Sequence, residues 1–257
     1  IYLWTEKEGS RVYLDSSGYT QETPRGGELG SNGLWIDNYD RLILCQHGNR
    51  AVAVMDANLG EPNASFTNLA DNYEGKRLNS PNDLVLDQHG NIYFTDPPYG
   101  LEGNVDDPLK EIDFQGVYRL DSSGSLTLIT SEMTRPNGVG LSPDESVLYV
   151  ANSDPSSPVW RMFRVEEDGI MDNGIFLDTS DKAGPGNPGL PDGLKVHSSG
   201  VIFATGPGGV WVITPESEVL GIIHTGVPTA NCAFNEDESM LYMTADDYLM
   251  RIPLISP

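Results

Sequence analysis

Short apolar runs recur along the chain: Leu42-Ile43-Leu44-Cys45, Ile92-Tyr93-Phe94-Thr95, Leu148-Tyr149-Val150-Ala151, Val201-Ile202-Phe203-Ala204 and Leu241-Tyr242-Met243-Thr244. Runs of this length, rich in β-branched and aromatic residues and preceded by turn formers, predict strands. Four of the turns are Gln88-His89-Gly90-Asn91, Pro143-Asp144-Glu145-Ser146, Ser198-Ser199-Gly200 and Glu236-Asp237-Glu238-Ser239, which bend a hairpin without strain. A further strand follows each run, at residues 51–54, 117–120, 160–163, 210–213 and 249–252, and a fourth is readable in most units, as at 126–129 and 219–223. No window keeps an apolar period of 3.6 over helix length, so helices are expected to be few.

Each run is introduced by one phrase that opens on Asn or Asp. The copies are Asn32-Gly33-Leu34-Trp35-Ile36-Asp37, Asn82-Asp83-Leu84-Val85-Leu86-Asp87, Asn137-Gly138-Val139-Gly140-Leu141, Asp192-Gly193-Leu194-Lys195-Val196 and Asn231-Cys232-Ala233-Phe234. They open 50, 55, 55 and 39 residues apart, and repeats of roughly this period, each of four strands, predict propeller blades. The first residues, Ile1-Tyr2-Leu3-Trp4 and Arg11-Val12-Tyr13-Leu14, read as third and fourth strands. The expected fold is therefore an all-β, six-bladed β-propeller with four strands per blade, a single domain over residues 1–257, its first blade incomplete at the N-terminus. Two inner strands are expected in residues upstream of Ile1, because a half-built blade exposes its sheet edges.

Charge narrows the partners. A net charge of −23 argues against nucleic acid and anionic membrane, which need clustered Lys and Arg, and favours attraction of cations. No apolar run reaches the ~20 residues of a membrane span. The expectation is a soluble monomer or dimer, cytoplasmic or periplasmic/secreted, the upstream segment leaving a signal peptide open. Cys45 and Cys232 fall in different blades and are expected to be buried free thiols. Residues 101–115 form the longest insert and carry five acidic residues, which suggests a surface loop or lid.

The first strand of a propeller blade is innermost, so the leading residues of the phrases are expected to converge on one channel. Carboxamide and carboxylate oxygens converging without His or Cys suit a hard cation, Ca²⁺ first and Mg²⁺ second. Asn82, Asn137 and Asp192 are the best candidates, with an Asx-turn as the alternative for each. Asn32 and Asn231 share the register but are expected mainly to serve the fold. Asp83 is a candidate for a second, structural cation. Arg77 and Asn79 lie just upstream of Asn82, and an Arg fork suits carboxylate or polyol oxygens. His47, after a second strand, is the one histidine considered as a general base, with a hydrogen-bonded structural role as its alternative.

Three segments together resemble a known family. Arg77-Leu78-Asn79-Ser80-Pro81-Asn82-Asp83 with Tyr93-Phe94-Thr95-Asp96-Pro97, then Arg135-Pro136-Asn137-Gly138-Val139-Gly140-Leu141-Ser142-Pro143-Asp144, then Pro191-Asp192-Gly193-Leu194 resemble the gluconolactonase, regucalcin and luciferin-regenerating-enzyme group of six-bladed propellers. More distantly the chain is similar to paraoxonases and diisopropyl fluorophosphatase. The resemblance implies a metal-dependent lactonase acting on a sugar lactone such as a glucono-1,5-lactone. It implies one divalent cation, Ca²⁺ foremost with Mg²⁺, Mn²⁺ or Zn²⁺ as other occupants, held by a Glu and three Asn or Asp side chains. Asn82, Asn137 and Asp192 match three of those metal positions. Asp192, Asn137 and His47 are the implied catalytic residues, and Arg77 and Asn79 the implied substrate contacts. The Glu of the family's Glu-Gly-Pro motif has no counterpart in this sequence. The alternatives are a promiscuous esterase or organophosphate hydrolase on the same site, and a non-catalytic calcium-binding or scaffold propeller.

Overall fold

The computed structural model describes residues 1–23, 25–166 and 169–254. The chain divides into two compact units, Ile1–Glu132 and Met133–Pro257. Unit 1 holds a ribbon of β1 (Tyr2–Thr5) and β2 (Gly9–Val12), then a four-stranded sheet of β3 (Ser31–Ile36), β4 (Leu42–Gln46), β5 (Ala51–Met55) and β6 (Phe66–Ala70). A short ribbon follows, β7 (Asn72–Tyr73) and β8 (Lys76–Arg77), and then the sheet β9 (Leu84–Leu86), β10 (Ile92–Asp96), β11 (Gly116–Leu120) and β12 (Leu126–Thr130). Unit 2 holds β13 (Pro136–Leu141), β14 (Val147–Asp154), β15 (Ser157–Glu166) and β16 (Gly169–Asp178) in one sheet. Its second sheet is β17 (Leu194–Val196), β18 (Ile202–Gly206), β19 (Gly209–Ile213) and β20 (Val219–His224), and its third is β21 (Thr229–Phe234), β22 (Met240–Ala245) and β23 (Tyr248–Pro253).

In every larger sheet the strands pair antiparallel in chain order, which is the meander of a propeller blade. The fold class is thus all-β and of the propeller type. The blade count differs from the expected six: the described residues form five blades. The β1–β2 segment is a two-stranded ribbon, with Tyr2 75% and Val12 58% exposed. The one helical element among the described residues is a single 3₁₀ turn at Asn104–Asp106, and no helix is long and apolar enough to cross a membrane.

The second strands read as continuous apolar runs because both of their faces are covered. Along β4, Ile43 and Cys45 enter the core shared with Phe94, Ile92 and Tyr118 of the next blade, while Leu42 and Leu44 pack on Leu14 and Met55. Along β18, Ile202 and Ala204 pack with Trp160 and Trp211, while Phe203 packs with Cys232, Leu241 and Met243. Cys45 and Cys232 are both free and buried, as expected. Three of the predicted turns close through Asp side chains: Asp87 Oδ1 accepts the His89 and Asn91 N–H groups, Asp144 Oδ1 that of Ser146 and Asp237 Oδ1 that of Ser239, which are Asx-turn bonds.

Candidate active site

In all five copies the opening phrase lies where regular strand pairing is interrupted. The β3–β4 ladder shifts register between Ser31 and Leu34, the β13–β14 ladder between Pro136 and Val139, and the β21–β22 ladder between Thr229 and Asn231. In the other two blades the inner strand begins only after the first two residues of the phrase, at Leu84 and Leu194. Such irregularities re-aim side chains that a straight ladder would send to alternate faces.

A threonine of the second strand pins the phrase in two blades. The Asn82 N–H donates to Thr95 O at 2.8 Å, and Thr95 N–H returns to Asp83 O at 3.1 Å. In unit 2 the Asp192 N–H donates to Thr205 O at 3.0 Å, and Thr205 N–H to Gly193 O at 2.9 Å. Both threonines are fully buried. They are positioning residues: Thr95 closes a run predicted as a strand, and Thr205 follows directly on another that the sequence pattern ended at Ala204. Their place at the end of each apolar run is the signal that marks them.

The glycine in second position also has a defined job. The Gly33 N–H donates to Asn82 O at 2.6 Å, and a Cβ at Gly33 would stand 2.7 Å from Asp83 Cα. In unit 2 a Cβ at Gly138 would stand 2.1 Å from Asp192 O, and one at Gly193 would stand 2.1 Å from Asn231 Cγ. Each of these glycines lets its inner strand approach the phrase of the following blade more closely than any side chain permits.

Unit 1 brings His47 and Asn82 together, both 2% exposed, with His47 Nε2 3.3 Å from Asn82 Nδ2. Burial lowers the His47 pKa to about 4, so the ring is neutral near pH 7 and Nε2 accepts from the carboxamide. With Nδ2 turned to the imidazole, Oδ1 is the Asn82 atom suited to a cation or substrate hydroxyl. Asp83 Oδ1 accepts the Leu84 N–H at 2.9 Å. Unit 2 carries Asn137, 6% exposed, and a half-buried Asp192. Asn231 is turned to the fold, its Oδ1 accepting the Cys232 N–H at 2.9 Å, whereas Asn32 is exposed.

These donors are hard oxygens, and that chemistry fits a divalent cation of the Ca²⁺ or Mg²⁺ kind. Among the described residues no group of three His, Cys, Asp or Glu side chains is placed to hold a metal ion. The candidate set is of another kind, with Asp192 its single member of those four types.

Arg77 and Asn79 receive unlike places. Arg77 is exposed and donates from Nη2 to Asn49 O at 3.0 Å. Asn79 is fully buried, its Nδ2 donating to Asp96 O and Phe114 O at 3.0 and 2.9 Å. These bonds hold the loop that leads to Asn82, and leave the Asn79 Oδ1 without a hydrogen-bond partner. Asp96, also fully buried, accepts the Asn79 and Ser80 N–H groups at 2.8 and 2.7 Å, and burial raises its pKa to about 7. The insert expected as a loop or lid is anchored: Leu101 and Ile112 are 1% and 2% exposed, and Leu109 O accepts from Arg50 Nη1 at 2.8 Å.

Comparison with known proteins gives a consistent neighbourhood. The family model described as the SMP-30/gluconolactonase/LRE-like region matches residues 1–247. A gluconolactonase of Zymomonas mobilis is 37% identical over 97% of this chain and 70% of its own length. A lactonohydrolase of Aspergillus oryzae is 28% identical over 65% of this chain and 42% of its own. The solved structure of a gluconolactonase from Xanthomonas campestris superimposes with a TM-score of 0.81 at 32% identity, covering 99% of this chain and 78% of that one.

Proposed function

Because the chain belongs to the SMP-30/gluconolactonase/LRE-like family, we propose that it hydrolyses a sugar lactone of the glucono-1,5-lactone type with the help of one divalent cation. The observation that carries this reading is the 37% identity to the Zymomonas gluconolactonase along 97% of the chain. The pinned Asn and Asp phrases support it.

The proposed ligands are Asn82, Asn137 and Asp192, with Ca²⁺ the first occupant by donor chemistry. When bound, the cation supplies Lewis acidity that polarises the ring carbonyl. Asp192 is the carboxylate of the set and is assigned to orient and deprotonate the attacking water. Asn137 and Asn82 orient the carbonyl through their carboxamides. His47, neutral by virtue of burial, holds the Asn82 carboxamide in one orientation and is a weak base at neutral pH. Arg77 orients substrate hydroxyls, and Asn79 supports the loop between them.

The test is proton release from glucono-1,5-lactone, followed by pH-stat on the purified protein with and without chelator. Activity is expected to vanish on chelation and return with Ca²⁺, and Asp192→Ala is expected to lose at least ~10²-fold in kcat. Equal turnover in excess chelator, or in Asp192→Ala, rejects the mechanism.

A further inference from the structure

Three arginines of unit 1, Arg25, Arg50 and Arg77, line one cleft of about 870 Å³. That volume suits a small ligand. In a chain with 38 acidic and 15 basic residues, three cations together would be expected to have carboxylate partners. Among the described residues none of the three forms an ion pair. The acids that line the cleft, Asp71 and Glu111, accept amide N–H groups rather than a guanidinium. Asp71 accepts the side-chain amides of Asn68 and Asn72 at 3.0 and 2.7 Å, and Glu111 Oε2 accepts the Arg77 backbone N–H at 2.8 Å.

The arginines instead hold backbone carbonyls. Arg50 is 2% exposed and donates Nε to Leu78 O at 2.7 Å and Nη1 to Leu109 O at 2.8 Å. Arg25 donates Nη2 to Gly48 O at 2.7 Å, Nη1 to Gly100 O, and lies 5.6 Å from the Tyr19 ring centre. Carbonyls satisfy donors without cancelling charge. Burial depresses the pKa of Arg25 and Arg50 and the Arg77 charge adds to this, opposed in part by Tyr19 and Asp107 at Arg25 and by Glu111 and Asp96 at Arg50. Like charges gathered this way, offset only in part by acids that none of them pairs with directly, favour an added anion. The exposed Arg77, with one of its N–H groups on Asn49 O, has fork donors left to present to such an anion. The cleft adjoins the candidate site within unit 1, since Arg25 Nη2 also lies 3.4 Å from His47 O.

We propose that this cleft is an anion subsite, and that the substrate is a sugar lactone carrying a second, negatively charged group, carboxylate or phosphate, away from the reacting carbonyl. The lactone half of the statement rests on the function proposed above; the anion half rests on the three arginines alone. The oxyanion is held by Arg77 through paired N–H donors, with Arg25 and Arg50 supplying fixed positive charge behind it.

Titration calorimetry on the full chain separates the two halves, using three non-hydrolysable sugars that differ at one carbon: D-glucose, D-glucuronate and D-glucose 6-phosphate. One or both anionic sugars are expected to bind at least about tenfold tighter than glucose, the scale of a charge-assisted bond, and added salt to erode the difference. Whether glucuronate or the phosphate binds tighter identifies the anion. Arg77→Gln, an exposed change expected to leave the melting temperature in place, should reduce the preference to within about twofold, whereas Arg11→Gln, an exposed change at a residue that does not line the cleft, should keep it. Equal binding of all three sugars by the unmodified protein overturns the proposal. So does an undiminished preference in Arg77→Gln. Anion preference without turnover of either glucono-1,5-lactone or 6-phosphoglucono-1,5-lactone in the same preparation would reject the lactonase reading and leave the subsite standing.

Discussion

Gly138→Ala probes the link between blade packing and the candidate site within unit 2. The added methyl would stand 2.1 Å from Asp192 O, 2.7 Å from Gly193 Cα and 2.9 Å from Asp192 C. All three are backbone atoms, so no side chain can swing aside. Reaching ordinary contact at about 3.4 Å requires a backbone shift of about 1.3 Å from the position given by the 2.1 Å contact. Overpacking that side chains can absorb costs ~1–3 kcal/mol, and a backbone clash belongs at or above the top of that range. At ~2–4 °C per kcal/mol for a chain of this size, the melting temperature should fall by ~6–12 °C. The Asp192 carbonyl must move by a comparable distance, and a displacement of ~1 Å at a reacting group costs on the order of 10²-fold in rate. Gly60→Ala is the control: nothing lies within 4 Å of its Cβ and its φ is not positive, so stability should change by less than ~0.5 kcal/mol. Calorimetric melting and lactone turnover read both variants. A Gly138→Ala protein that melts within ~2 °C of the unmodified one, with turnover within twofold, refutes the argument that close strand approach positions Asp192.

Asp96 sets a pH dependence of stability. Its pKa rises from 3.8 to about 7 on folding, so the folded state keeps a proton that the unfolded chain has lost between those values. Stability from this group is complete below pH ~4 and is lost as pH rises to ~7, with a slope approaching ~1.4 kcal/mol per unit; urea midpoints for Asp96→Asn should lack that slope. Arg50→Lys keeps the charge but leaves buried carbonyls of Leu78 and Leu109 sharing one short ammonium, and urea unfolding should show a loss of ~2–3 kcal/mol. Thr205→Val removes the hydroxyl that donates to Gly193 O at 2.9 Å, with an expected loss of ~1–2 kcal/mol by the same assay.

Much of the architecture was readable from alternation and turn chemistry. The second strands were placed within a residue or three of their observed ends because an apolar run of that length between Asx-type turns has few other folds. Asp87 shows why: the residue that closes the phrase is the one whose carboxylate caps the turn. Residues 1–14 form the two paired strands expected of them, but two strands are not a blade, so the described residues count five blades where the pattern had six. Exposed strands such as β16, with Met171 58% and Ile175 56% exposed, were under-read because an outer strand covered on one side at most has weak alternation.

The candidate residues divide in the same way. Asn82 stood out by register, but that its carboxamide faces a neutral His47 depends on a contact 35 residues away in sequence. Asn79 looked like Asn82, two polar residues in one short loop, until their partners separated them: the Asn79 carboxamide donates to the Asp96 and Phe114 carbonyls, the Asn82 carboxamide to His47. The sequence alone determined the repeating all-β architecture, the acidic character and the register of the Asn and Asp phrases, because each follows from local periodicity and composition. Tertiary structure alone decided which phrase glycines are packing requirements, which polar groups are buried, and that three arginines distant in sequence line one cleft without forming an ion pair among the described residues. Those outcomes depend on which segments become neighbours, and neighbours are chosen by the packing of whole sheets rather than by any one segment.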